Sequence, residues 1–84
     1  MNSKEDMKKA YEEIRAYCQK NGFNLDKFEE TRAYDLIDCI AVSMPSKVKP
    51  NGLANDMSTL PTPLFVYYPD GRIEELPKAK EILE

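Results

Sequence analysis

The residues whose types and spacing invite a chemical reading are two cysteines, Cys18 and Cys39, and two close carboxylate pairs, Asp35 with Asp38 and Glu74 with Glu75. None of them has the company that catalysis needs. The chain contains no His, which removes the commonest general base near neutral pH and the commonest metal ligand together. Cys18 and Cys39 are too far apart for a Cys-x-x-Cys redox pair and too few for a disulfide framework. A structural zinc site wants four nitrogen or sulfur ligands. The carboxylate pairs read as solvated surface: Asp35 and Asp38 on the wet side of a helix, Glu74 and Glu75 on opposite faces of a strand. Shared burial with shifted titration is not expected of either. Gly22, Gly52 and Gly71 stand alone, so no glycine-rich loop is available to cradle a phosphate. The expectation is a chain with no catalytic residue, no metal and no cofactor, whose thiols serve as small core hydrophobes.

Composition narrows the setting. The 84 residues suffice for one domain and not for two. Twelve basic and fifteen acidic residues, net charge -3, are interspersed along the chain. Lys47 and Lys49 form a basic cluster too small to track phosphates, and counterion release needs clustered cations, so nucleic-acid binding is not expected. The mixed signs also disfavour an acidic mimic of nucleic acid. The longest apolar run, Leu64 to Tyr68, is far short of the ~20 residues of a membrane span. The start, Met1-Asn2-Ser3-Lys4-Glu5-Asp6, leads into charged residues with no apolar segment behind it, which points to the cytoplasm. Spacing alone leaves a Cys18–Cys39 disulfide open, and the leaderless start argues against it.

The elements that would position these residues follow from periodicity and caps. Ser3 with Asp6 resembles a capping box, and Met7, Tyr11, Ile14 and Cys18 recur on one face, widened by Ala10 and Tyr17. Gly22 ends this helix. Asn24 caps a second one, in which Leu25, Phe28, Ala33, Leu36, Ile37, Ile40 and Met44 fit one face until Pro45 stops it. A competing reading takes Leu36, Ile40, Val42 and Met44 as strand alternation. Asp38 decides for helix through about residue 43, because a charge on the inward face of a strand would need a partner. Residues 46 to 63 read as loop, with Ser46 to Lys49 as a short edge strand.

Leu64 to Tyr68 is the clearest strand. Pro69, Asp70 and Gly71 form the turn that folds it back, and Arg72 to Leu76 return. Pro77 then starts a short last helix. With Tyr68 opposite Arg72, the pairs are Tyr67 with Ile73, Val66 with Glu74, Phe65 with Glu75 and Leu64 with Leu76. One face carries Leu64, Val66, Tyr68 and Leu76; the other carries Phe65, Tyr67 and Ile73. The aliphatic face is the expected core, which leaves Phe65, Tyr67 and Ile73 as the candidate partner-binding residues.

The run Thr62-Pro63-Leu64-Phe65-Val66-Tyr67-Tyr68-Pro69-Asp70-Gly71-Arg72 resembles the strand and hairpin of thioredoxin-like proteins, in which a cis-Pro enters an apolar strand. The resemblance implies a degenerate relative without the redox motif, since neither the Cys-x-x-Cys helix start nor the preceding βα unit has a counterpart here. The small acidic chain also resembles proteins carried by bacterial mobile elements. The fold expected is α+β: two N-terminal helices packed on a small antiparallel sheet built around the 64-68/72-76 hairpin, with a short C-terminal helix. The function expected is a non-enzymatic protein-interaction or accessory domain, bound to a protein partner or to itself.

Overall fold

The computed structural model describes residues 2–45 and 60–84. Helix α1 spans Lys4–Lys20 and begins as its sequence requires: the Ser3 hydroxyl accepts the Asp6 N–H, and the Asp6 carboxylate accepts the Ser3 N–H, both at 3.1 Å. These bonds satisfy two of the donors that a helix start leaves unpaired. Ala10, Ile14 and Cys18 form its buried stripe, four residues apart. Gly22, at φ 77°, turns the chain out of the helix. Asn24 caps α2, Leu25–Phe28, by accepting the Lys27 N–H.

Here the chain departs from the long second helix. After the single turn of α2 it forms two strands, β1, Arg32–Asp35, and β2, Ile40–Met44. The alternating reading was the correct one for Ile40, Val42 and Met44. Asp38, the residue that argued against a strand, lies in neither: it sits exposed in the turn between them. Its charge therefore meets water, and the objection lapses. Thr31 ends α2 by donating its hydroxyl and its N–H to the Phe28 carbonyl, a local bond that competes with helix continuation.

Strands β3, Thr62–Tyr67, and β4, Ile73–Glu75, complete a four-stranded meander in the order β1-β2-β3-β4, antiparallel throughout. Helix α3, Pro77–Leu83, follows with Pro at its first turn. The β3–β4 register pairs Phe65 with Glu75, Val66 with Glu74 and Tyr67 with Ile73, and the Tyr68 N–H to Arg72 and Leu76 N–H to Leu64 bonds extend it at both ends. All of this matches the expected hairpin. Among the described residues no peptide bond is cis, that before Pro63 included. The proposed edge strand Ser46 to Lys49 lies outside the described residues.

All three helices pack on one face of the sheet. The core there joins Ala10, Ile14 and Cys18 of α1 and Phe28 of α2 to Ile40 and Val42, to Leu64, Phe65 and Tyr67, and to Ala79 and Leu83 of α3. A register shift explains how neighbours Leu64 and Phe65 both enter it. Val42 pairs with Phe65 and Ser43 with Pro63, which leaves Leu64 as the extra residue of a bulge. On the opposite face Ala41, Leu36 and Leu60 make a second, smaller cluster, flanked by Tyr34 and Cys39. Among the described residues no helix is long and apolar enough to cross a membrane.

Candidate partner-binding site

The structure places the three expected contact residues on the covered side. Phe65 is 0% exposed, Tyr67 is 8% exposed, and Ile73 is half-buried against the same core. Phe65 is ringed by aromatic edges: Tyr17, Phe23 and Phe28 meet it at centroid distances of 5.9, 6.1 and 6.4 Å with planes 67 to 73° apart. Such edge-to-face pairs add stability beyond area burial. The assignment of Phe65, Tyr67 and Ile73 as a free binding face is therefore corrected: the helices cover the aromatic face, which the bulge lets Leu64 of the aliphatic set join. Alternation states which residues share a face and leaves open which face the helices choose.

The expected polar assignments divide in the same way. Glu74 and Glu75 do point to opposite sides of β4: Glu75 accepts the Tyr17 hydroxyl at 2.9 Å on the helical side, while Glu74 pairs with Val66 and is exposed. Tyr67 donates its hydroxyl to Glu13, and this bond, helped by burial, pushes the phenol up to about 12. Asp35 is the surprise. It is buried, not on the wet side of a helix. Its carboxylate accepts the Asn2 N–H at 3.0 Å, the Asn2 side-chain amide at 2.9 Å and the Ile37 N–H at 2.9 Å. Burial works against the ionised form, but the bonds from Ile37 and Asn2 outweigh it and hold the carboxyl below the ordinary value.

These bonds build an unusual turn. The Asp35 carboxylate grips the Ile37 N–H from one side, and the Leu36 carbonyl accepts the Asp38 N–H at 2.9 Å from the other. Held at both peptides, Ile37 takes φ 75°. That is the centre of a γ-turn, in a hand that is rare and strained, and a β-branched residue at positive φ is a true outlier. The Leu36 N–H bond to the Cys39 carbonyl, 3.0 Å, closes the hairpin around it. Asn2 also reaches the Cys39 carbonyl, at 3.2 Å, so the segment before α1 fixes the tip from beneath. The side chain of Ile37 stands 47% exposed, the one large apolar residue exposed among the described residues.

Beside the tip lies a cleft of about 150 Å³, lined by Asn2, Asp6, Lys9, Cys39, Ile40, Tyr67 and Pro69. It is below the roughly 300 Å³ at which pockets for drug-sized molecules begin, and comparable to a cavity of about 150 Å³ that holds one benzene. One side chain fits it. The Cys39 thiol at its wall is pushed up by burial and then by the charges of Asp38, Asp35 and Glu74, so it is poorly suited to act as a nucleophile. Cys18 is buried in the main core and free, its thiol pushed up to about 12 by burial. Among the described residues no group of three or more Cys, Asp and Glu side chains is arranged to hold a metal.

Sequence reasoning missed Ile37 and Asn2. Asp-Leu-Ile-Asp-Cys contains no Gly, Asn or Pro, so nothing in it announces a positive φ; its one turn signal is Asp35, whose side chain can accept the N–H two positions on, and the other partner of Asp35 is 33 positions away. No family model, no curated protein and no solved structure matches the chain.

Proposed function

We propose that the chain is a non-enzymatic protein-interaction domain that docks on another protein chain through the tip of the β1–β2 hairpin. One observation carries this reading: Ile37 combines a strained backbone with an exposed aliphatic side chain. A conformation of this kind costs on the order of 1–3 kcal/mol and persists where the surroundings over-determine it. Here Asp35, Asn2 and the Leu36 carbonyl do so, yet about half of the side chain they present stays in solvent. Burial against a partner would supply the missing return. The two free thiols suit a reducing, cytoplasmic setting.

The test uses the Ile37→Gly variant, which removes the side chain and relieves the strain together, with the thermal midpoint as the control for folding. Immobilised wild-type protein should retain a protein from extract that the variant loses, while the variant's thermal midpoint is equal or higher. Retention of the same protein by wild type and variant alike would sink the reading.

A further inference from the structure

We infer that the chain taking up the tip is a second copy of this one, Ile37 of each copy entering the cleft of the other. The inference rests on the reading of the tip as a contact and goes beyond it in naming the occupant.

The molecule carries a plug and a socket side by side. The plug is Ile37, held out from the hairpin by its own turn. The socket, about 150 Å³, is of mixed character: Ile40, Tyr67 and Pro69 give it apolar walls, and Asn2, Asp6 and Lys9 a polar side. That volume accepts one aliphatic side chain and little more. Cys39 belongs to both features: it closes the turn and lines the cleft. Two surfaces that adjoin on one molecule and complement each other are what a two-fold pair requires, because the contact made by one copy is then repeated by the other.

Charge fits the same arrangement. Asp38 follows Ile37 on the tip and is exposed; Lys9 is exposed at the cleft beside Asp6, whose carboxylate is engaged with the Ser3 N–H at the start of α1. Neither Asp38 nor Lys9 has an ion-pair partner among the described residues, where the ion pairs are Arg15 with Glu29 and Lys78 with Glu81. Seating Ile37 in the opposite cleft brings Asp38 of one copy toward Lys9 of the other, twice. Tip and cleft together supply far fewer residues than the roughly 20–30 per side of a standard interface. The pair is accordingly weak and reversible, with a dissociation constant on the order of 10–1,000 μM.

Sedimentation equilibrium of the whole chain, from about 10 μM to about 1 mM under reducing conditions, tests the inference. Wild type should shift from monomer to dimer across this range, and Ile37→Gly should remain monomeric. Asp38→Lys and Lys9→Asp should each weaken association about tenfold, and the double variant should recover most of it. Both positions are exposed, so circular dichroism and thermal midpoint should be unchanged in all three. A wild-type chain that stays monomeric to about 1 mM overturns the second-copy inference, as does a dimer indifferent to Ile37 or a charge swap without recovery. Ile37-dependent capture of a different protein by a monomeric chain would overturn it while leaving the interaction reading intact.

Discussion

The two hairpins solve the same problem with the same device and different residues. In each turn an aspartate carboxylate accepts the backbone N–H two positions on: Asp35 from Ile37 at 2.9 Å, Asp70 from Arg72 at 3.0 Å. Each turn also needs one residue at positive φ. The β3–β4 turn places Gly71 there, at 91°, and the β1–β2 turn places Ile37, at 75°. Gly meets this demand at little steric cost; a β-branched residue does not. Both ribbons are anchored in the main core, β3–β4 through Leu64, Phe65 and Tyr67 and β1–β2 through Ile40 and Val42, so the difference between them lies in their turns. The turn whose chemistry disagrees with its conformation carries its side chain into solvent. Disagreement between a local preference and the fold marks the places where something other than stability has a claim on the residue.

Four substitutions break or sharpen this contrast. The largest effect should come from Phe65→Ala. A residue ringed by Tyr17, Phe23 and Phe28 should lose about 3–5 kcal/mol, read from the urea midpoint at constant slope. A surface anchor would leave that midpoint in place, so an unchanged value would return Phe65 to the binding face.

The second test compares the turns directly. A Cβ at position 71 would meet only the Tyr67 hydroxyl, at 3.9 Å, so space is not the obstacle. Gly71→Val should nevertheless lower stability by about 1–3 kcal/mol through backbone strain. Ile37→Gly should act in the opposite direction, raising stability by roughly 0.5–1 kcal/mol, because strain relief exceeds the added freedom of the unfolded chain. Thermal melts of both variants with wild type measure the pair, and effects of equal sign would remove the asymmetry between the hairpins.

The smallest effect concerns Asp35. Its carboxyl is held below the ordinary value of 3.8 by its bonds to Ile37 and Asn2. A carboxylate whose folded value is depressed contributes stability that is fully present above the unfolded value and is lost as pH falls through the folded one. Wild type should therefore lose stability, and amide protection at Ile37, as pH drops below about 4. Asp35→Asn should start from a lower stability at neutral pH and show a flatter decline. Parallel curves for the two proteins would detach the carboxylate from the turn.

What the sequence determined by itself is what short-range chemistry controls. Ser3 and Asp6 close their box within one helical turn, Gly22 and Asn24 punctuate, Pro77 opens the last helix, and the Pro69-Asp70-Gly71 turn sets the β3–β4 register residue by residue. Each of these depends on bonds between near neighbours, so the residue types suffice. Tertiary structure decided the rest. The stretch from Leu36 to Met44 fits helical and strand periods alike, and pairing of β2 with both β1 and β3 selected the strand. The aromatic face of the hairpin was drawn under the helices because Tyr17, Phe23 and Phe28, distant in sequence, offered Phe65 its edges. Ile37 was forced to positive φ by Asp35, which owes its own place to Asn2 at the other end of α1. Contacts between residues far apart in the chain outweighed local preference at each of these points, and the candidate site arose at the last of them.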